Sequence, residues 1–548
     1  MTTNYFRTAI MALVLSVSSQ ANVVFAATWY VATNGNDANP GTQAQPFLTV
    51  QRGINAASTG DTVLVANGTY TGVGNWNLSF QGKNIVLRSQ GGMANCTLRR
   101  GGLGLRAFTF NTGETNAATI DGFTLDGQSP STSGGAILAS NSSPTIIRCR
   151  LISDTSGVST IFGGGIHLQN SNARIEACTI SNFIAERGGG ISISGGSPII
   201  TDCTLSNNEA RVNTVNMNLN FGGGIYVDTG TPTITTCSFI DNRATGAGQI
   251  QGLGGGLAVR NTSIDVADCF FDNNTANQGG GGVVSQDGAL VLANCRFHAN
   301  KSIFSSPNGR GGAIRQLSGT LTVVNGLFTG NQATSLGGAM AVSGTAIIVN
   351  STFYGNTAGT QGGGGIASIG GNASVHNSIV WGSSGGEIAA WEFGTATVAH
   401  SNVQGGFTGT GNINADPLFV NAGGGNHRLQ SASPCRDVGS AASPNLPSLD
   451  LDGVPRILNA VVDMGAYEFV PSNALFVDRE YAGASNGSPA QPFKTILSAL
   501  ASYGDSAARQ IYVRFGNYPE GTPGTPFNIN KAVTLYHWDG AAVNIGQP

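Results

Sequence analysis

The sequence predicts an all-β fold: a right-handed, single-stranded parallel β-helix, built as a three-sheet solenoid with an N-terminal helical cap. Three observations carry this. A unit of glycine triplet, short apolar alternation and Cys-x-Phe-x-x-Asn, complete over 222–242, returns from Gly188, Gly254, Gly311 and Gly337. Self-similarity at roughly 25 to 35 residues marks a stacked repeat. The residues following the triplets (Ile137, Ile166, Ile191, Ile225, Leu257, Val283, Ile314, Met340, Ile366) are all apolar, and inward residues recur at every second position, as in a strand with one buried face. No stretch of the array has helical spacing, and three short strands bury a face only when coils stack.

Residues 1–26 read as an export signal, with Arg7, an apolar core over 9–17 and a small-residue site at Val24-Phe25-Ala26. The apolar run is too short to span a membrane, so a secreted or cell-surface chain is expected. Residues 27–133 form the entrance: a strand at 29–32, a helix over 50–57 with Val50, Ile54 and Ala57 on one side, a strand at 62–65, and coils lacking the triplet. A helix laid across the first rung covers its open edge. Triplet coils occupy 134–403. Residues 404–470 supply the last coils and a terminal cap containing Leu-Asp-Leu-Asp-Gly-Val-Pro-Arg and Asp-Met-Gly-Ala-Tyr-Glu-Phe. Residues 471–548 repeat the entrance, Ala490-Gln491-Pro492-Phe493 matching Ala44-Gln45-Pro46-Phe47, and stop after its first coils.

Two polar columns belong to the architecture. Asp202, Asp268, Asn294, Asn325, Asn350 and Asn377 fall between second and third strands; Asn208, Asn242, Asn274, Asn300, Asn331 and Asn356 follow the third. Both suit tight bends, since Asn tolerates left-handed angles, and stacking in register lets each amide bond its neighbour. Six of the eight cysteines, Cys149 to Cys295, share one inward register. With all Cβ vectors parallel, a buried thiol ladder is favoured over disulfides; Cys96 and Cys435 fall outside it.

Glycine is 81 of 548 residues and charged residues are 10%, which fits dry inner faces and a Ser/Thr/Asn/Gly exterior. Without the signal the chain has 25 basic and 29 acidic residues, a near-neutral balance that argues against nucleic acid as a partner. No cofactor is expected. Calcium is the one ion with offered ligands, Asp450 and Asp452, though a structural turn is the favoured reading there.

The coils carrying Gly-Gly-Ala-Ile at Gly134 and Gly311, Gly-Gly-Ala-Met at Gly337, and Phe-x-x-Asn from Phe239 to Asn356 resemble the repeats of polymorphic outer membrane proteins. That resemblance implies a surface adhesin. The entrance over 29–70 is similar to the cap of secreted pectate-lyase-like proteins, which implies a polysaccharide lyase or related hydrolase as the alternative function. Lyase chemistry calls for clustered carboxylates and a base, and the outward positions of the first strands do not provide the cluster. They place Asp228 and Arg260 as vertical neighbours, Tyr226 beside them, His167 two coils away and Arg315 beyond. Three long connections, 209–221, 243–253 and 301–310, leave the same corner. The expected function is therefore binding of a polysaccharide or cell-surface glycan, neutral or weakly acidic, by Tyr226, Asp228 and Arg260, with His167 and Arg315 at the ends. A purely structural rod is the third reading.

Overall fold

The computed structural model describes residues 26–100, 106–126, 133–153, 161–212, 220–246, 252–304, 308–359, 362–458, 461–503, 509–514, 516–518, 529, 531, 533–537 and 543–545. The expected export signal, apart from Ala26, lies outside them. The chain is the right-handed parallel β-helix expected. Among the described residues its first, second and third sheets contain 12, 14 and 13 strands. In one coil these are Ile225–Thr229, Thr233–Thr235 and Ser238–Ile240. Ile225 faces Leu257, Ile234 faces Val266 and Phe239 faces Phe271 on the next coil, so inward residues rise in columns. At the entrance, Thr49 caps the helix Val50–Ala56. Gly53 lets that helix touch the first rung, because a Cβ there would lie 2.8 Å from the side chains of Val31 and Val63.

The bend between second and third strands is a left-handed residue, as expected: Asp202 has φ 53°, Asn294 55° and Asn350 46°. After the third strand the left-handed residue is Asn207, Asp241 or Asn273, one position earlier than expected. Asn208, Asn242, Asn274, Asn300, Asn331 and Asn356 instead turn inward and are fully buried. Each Nδ2 donates to the next Oδ1 at 2.9–3.1 Å. Asn274 also donates Nδ2 to Phe239 O and its backbone N–H to Asn300 Oδ1. From Asn208 to Asn331 each Nδ2 is thus answered by the coils on either side, the condition for burying amides at all.

Beside it, Phe239, Phe271, Phe297, Phe328 and Phe353 stack at 4.4–4.7 Å with planes within 1–5°. Aromatic pairs left to themselves favour offset or edge-on contact; here rung spacing imposes the parallel stack. All eight cysteines are buried free thiols, and burial pushes Cys295 up to about 12. Cys96 is not outside their column: Thr97 pairs with Thr124, which places Cys96 below Phe123 and Cys149. Upward the column continues as Gly326 and then Ser351, Ser378 and Ser401. Each hydroxyl bonds the carbonyl two residues earlier, as the Cys237 thiol bonds Thr235 O.

A fourth sheet of six short strands was not legible in the sequence. It includes Glu209–Val212, Arg243–Gly246 and Lys301–Ser302, so the three long connections leave the coil as strands before passing through 213–219, 247–251 and 305–307, outside the described residues. The sheet presses on the glycine triplets. A Cβ on Gly189 would meet Gly223 O at 2.5 Å and Glu209 N at 2.6 Å, which excludes any other residue there.

Residues 404–415 close the last coil, through Val403 N to Ile413 O and Ser401 N to Asn412 Oδ1. The segment 433–469, expected as a terminal cap, runs back along the flank as a strap. Asn377 Nδ2 donates to Ser440 O, Asn350 Nδ2 to Asp463 O and Asn325 Nδ2 to Leu449 O. At its centre the fully buried Arg456 donates to Glu468 Oε1 at 2.8 Å and to Asn325 Oδ1 at 2.6 Å. Asp450 and Asp452, the calcium candidates for which a structural turn is the favoured reading, hold local hydrogen bonds and an ion pair. Asp450 accepts the backbone N–H groups of Asp452, Val454 and Glu468, and Asp452 pairs with Arg428 at 2.5 and 2.7 Å. Beyond the strap lie the strands Ala474–Val477, Arg509–Val513 and Val533–His537 and the helix Ile496–Ala501. This segment docks on the strap through Val454, Leu458, Phe476 and Tyr512.

Two outcomes test these assignments. Asn274→Ala strands the buried N–H and Nδ2 donors of Asn242 and takes a donor from Phe239 O and Asn300 Oδ1, and should destabilise the array by about 3 kcal/mol, whereas Asn273→Gly, at a left-handed position, should be near neutral in the same denaturant titration. Arg456→Met leaves Glu468 buried without its cation and should cost about 3–5 kcal/mol; a chelator should leave the wild-type melting temperature unchanged.

Candidate functional site

Outward residues of the first sheet form two rows. One rises through His167, Ser192, Tyr226, Ala258, Val284, Arg315 and Ala341. This row is roofed. The residue before each glycine triplet joins a column of parallel bridges, Phe162, Arg187, Phe221, Leu253, Gly279, Arg310 and Leu336, and its apolar members fold over the row. Phe162 stacks on His167 at 5.6 Å and Phe221 on Tyr226 at 5.8 Å. Phe221, Tyr226, Leu253, Ala258 and Val284 close into one apolar cluster.

The expected site residues are placed accordingly. Tyr226 is 0% exposed, so the aromatic platform expected there is not on the surface. Its hydroxyl donates to Asp228 Oδ1 at 2.7 Å; burial, then that carboxylate, raise its pKa to about 12. Asp228 and Arg260 stand on adjacent coils but form no ion pair, because Asp228 serves Tyr226. His167 is 6% exposed, with Nδ1 buried and unpartnered, and lines a shallow pocket with Arg106, Phe162 and Gln169. Burial, and secondarily Arg106, push its pKa down to about 4. Arg315 donates Nη1 to Gln278 O at 2.5 Å, and burial beside Arg310 lowers it to about 10. His167 and Arg315 therefore lie behind the roof.

Two arginines of this flank, Arg187 and Arg260, are half-buried against aromatic rings. Arg187 lies over the Phe162 ring at 5.6 Å and Arg260 over Phe221 at 4.7 Å, arrangements that hold a guanidinium flat without an anion. Among the described residues no carboxylate lies within ion-pair distance of Arg187, Arg260 or Arg315. Arg260 Nε is buried without a partner. Arg310 reaches Glu392 at 3.1 Å, next to Trp391, which is 40% exposed and pairs with Ile369 at the top of the second outward row. From the coil of Arg187 to that of Trp391 is roughly 34 Å, at about 4.8 Å per coil. Among the described residues no three His, Cys, Asp or Glu side chains converge as metal ligands, and no helix is long and apolar enough to cross a membrane.

Arg187, Arg310 and Trp391 were not singled out from the sequence. The signal for the two arginines was available: each immediately precedes a glycine triplet, a position otherwise held by Phe162, Phe221, Leu253, Gly279 and Leu336.

A model of the right-handed β-helix region family matches residues 61–301. No curated protein matches the chain. Among solved structures, pectate lyase Pel9A aligns at 14% identity over 81% of this chain and 96% of its own, with a TM-score of 0.38. The PL6 family alginate lyase AlyGC aligns at 14% over 85% and 63%, with 0.34. The A-module of Azotobacter vinelandii mannuronan C-5 epimerase AlgE6 aligns at 14% over 67% and 94%, with 0.31. Superpositions this loose carry no argument about this chain's activity.

The depressed pKa of His167 sets a pH dependence. Its folded value, about 4, lies below the unfolded value of about 6.5, so the unfolded chain takes up the proton first on acidification. Stability is then lost between about pH 6.5 and 4, by about 2–3 kcal/mol. His167→Gln should flatten that part of the stability profile in denaturant titrations across pH, and an unchanged slope would show the imidazole to be freely solvated.

Proposed function

We propose that this right-handed β-helix is exported and holds an acidic glycan chain along the flank of its first sheet. The observation that carries the reading is the row of guanidiniums at Arg187 and Arg260, each laid on a phenylalanine ring and neither matched by a carboxylate. A long anionic chain lying parallel to the helix axis would meet Arg187, Arg260 and Arg310 in turn, with the exposed Trp391 ring as a stacking surface for a sugar. The burial of Tyr226 and the excess of arginine over acid move the expected ligand from neutral toward acidic. Export rests on the features of residues 1–26.

Polygalacturonate and alginate, with a neutral glucan as comparison, test this by calorimetry or affinity electrophoresis. The polyuronates should bind, the glucan should not, and affinity should fall as salt screens the arginines. Arg187→Gln and Arg260→Gln should each weaken binding about tenfold, or about 1.4 kcal/mol, with little change in melting temperature. Undiminished binding by the double variant would sink the reading. Unsaturated products appearing in the same samples would establish lyase turnover, and recovered protein starting at Ala27 would establish cleavage of the signal.

A further inference from the structure

The outer face of the third sheet carries a concavity of different construction. The antiparallel pair Phe419–Asn421 and Asn426–Leu429 lies over the strands Phe270–Asp272, Arg296–His298, Leu327–Thr329 and Thr352–Tyr354. Between them is a groove of about 430 Å³, within the range of small-molecule sites. Phe270 and Tyr354 are half-buried along it, Arg296 and His298 are exposed, and His427 closes it from the hairpin side.

His427 is the informative group. It is 3% exposed, with the Tyr354 ring at 5.0 Å and the Phe419 ring at 5.3 Å. Its Nδ1 lies 3.1 Å from Gly425 O; a carbonyl only accepts, so Nδ1 carries the proton. Burial, and then His298, keep its pKa below the usual imidazole value, and the ring is neutral near pH 7. Nε2 is therefore a lone-pair acceptor, the ring's one remaining polar atom, and it is buried with no partner. Buried acceptors left bare are uncommon because water has been removed and nothing has replaced it. The groove thus wants a hydrogen-bond donor at His427, tolerates an anion at Arg296, and offers a ring face at Tyr354.

We infer that this groove binds a small acidic sugar, a hydroxylated ring with one carboxylate, whose hydroxyl donates to His427 Nε2 while its carboxylate faces Arg296. The ring's apolar face lies on Tyr354. The site is on a different sheet from the arginine row and does not depend on the function proposed for that row.

Titration of the nitrogen-15-labelled chain with glucuronate, glucose and acetate tests it, with long-range proton–nitrogen spectra resolving the imidazole nitrogens. Glucuronate should shift the His427 Nε2 resonance away from its bare-acceptor position and bind at least tenfold more tightly than glucose or acetate. Arg296→Gln, an exposed change, should abolish the preference for glucuronate over glucose without altering the melting temperature. His427→Phe should weaken glucuronate binding at least tenfold, and if it impairs folding the Arg296→Gln result decides. An unmoved His427 resonance at saturating glucuronate, or an intact preference in Arg296→Gln, overturns the site. The His427 signal reports this groove alone, so its failure leaves the arginine row untouched, and the converse holds.

Discussion

The β-helix follows from strands that pair in parallel, coil upon coil, with the register shifting in the first sheet only where Ser194 pairs with Thr229. A parallel ladder places each residue about 4.8 Å above its equivalent, so a repeat in sequence becomes a column in space. Columns convert residue types that are individually awkward into stable interiors. A buried asparagine alone would strand two donors and an acceptor, whereas the column from Asn208 to Asn356 satisfies each amide from the coils on either side. The thiols of the cysteine column and the hydroxyls of Ser351, Ser378 and Ser401 fill one position because both can bond the carbonyl two residues back. The same geometry explains why the middle glycine of a triplet, such as Gly189 or Gly223, admits no substitute once a fourth sheet lies against it.

Register also shapes the surface. An outward side chain in a solenoid is exposed only if nothing folds across it, and on the first sheet the residue before each triplet does so. Where that residue is Phe or Leu the outward row is sealed, as at Tyr226 and Val284. Where it is Arg187 the guanidinium lies over the neighbouring Phe162 ring, and where it is Arg310 it reaches Glu392. The flank is thus a thin apolar roof studded with cations rather than an open strip of polar residues.

The strap is held differently, by long-range polar contacts rather than by repetition. Asn325, Asn350 and Asn377 serve twice, as left-handed bends and as hydrogen-bond donors to the strap. Arg456 and Glu468 bind each other in full burial, an arrangement that favours one position of the strap along the stack because displacement would leave a charge without its partner. By fixing the strap the pair also fixes the docking surface for the repeated entrance.

The fold was legible because its causes are local and periodic. Apolar residues at every second position, glycine triplets and Asn columns each have one physical use in a stacked coil, and the helix of the entrance, the left-handed bends and the free thiols followed from them. The outer face of the first sheet was only partly legible. The sequence singled out Arg260, which does reach the solvent face, but it also placed Tyr226, His167 and Arg315 there, because alternation tells which residues point outward and says nothing of what covers them. That covering came from residues before the triplets, whose direction depends on the fourth sheet. The path of the strap, the spending of Asp450 on backbone amides and the bare Nε2 of His427 depend on contacts between residues far apart in sequence. Periodicity encodes contacts between one coil and the next; a single segment folded back across many coils has no period, and only the tertiary structure decides where it lies.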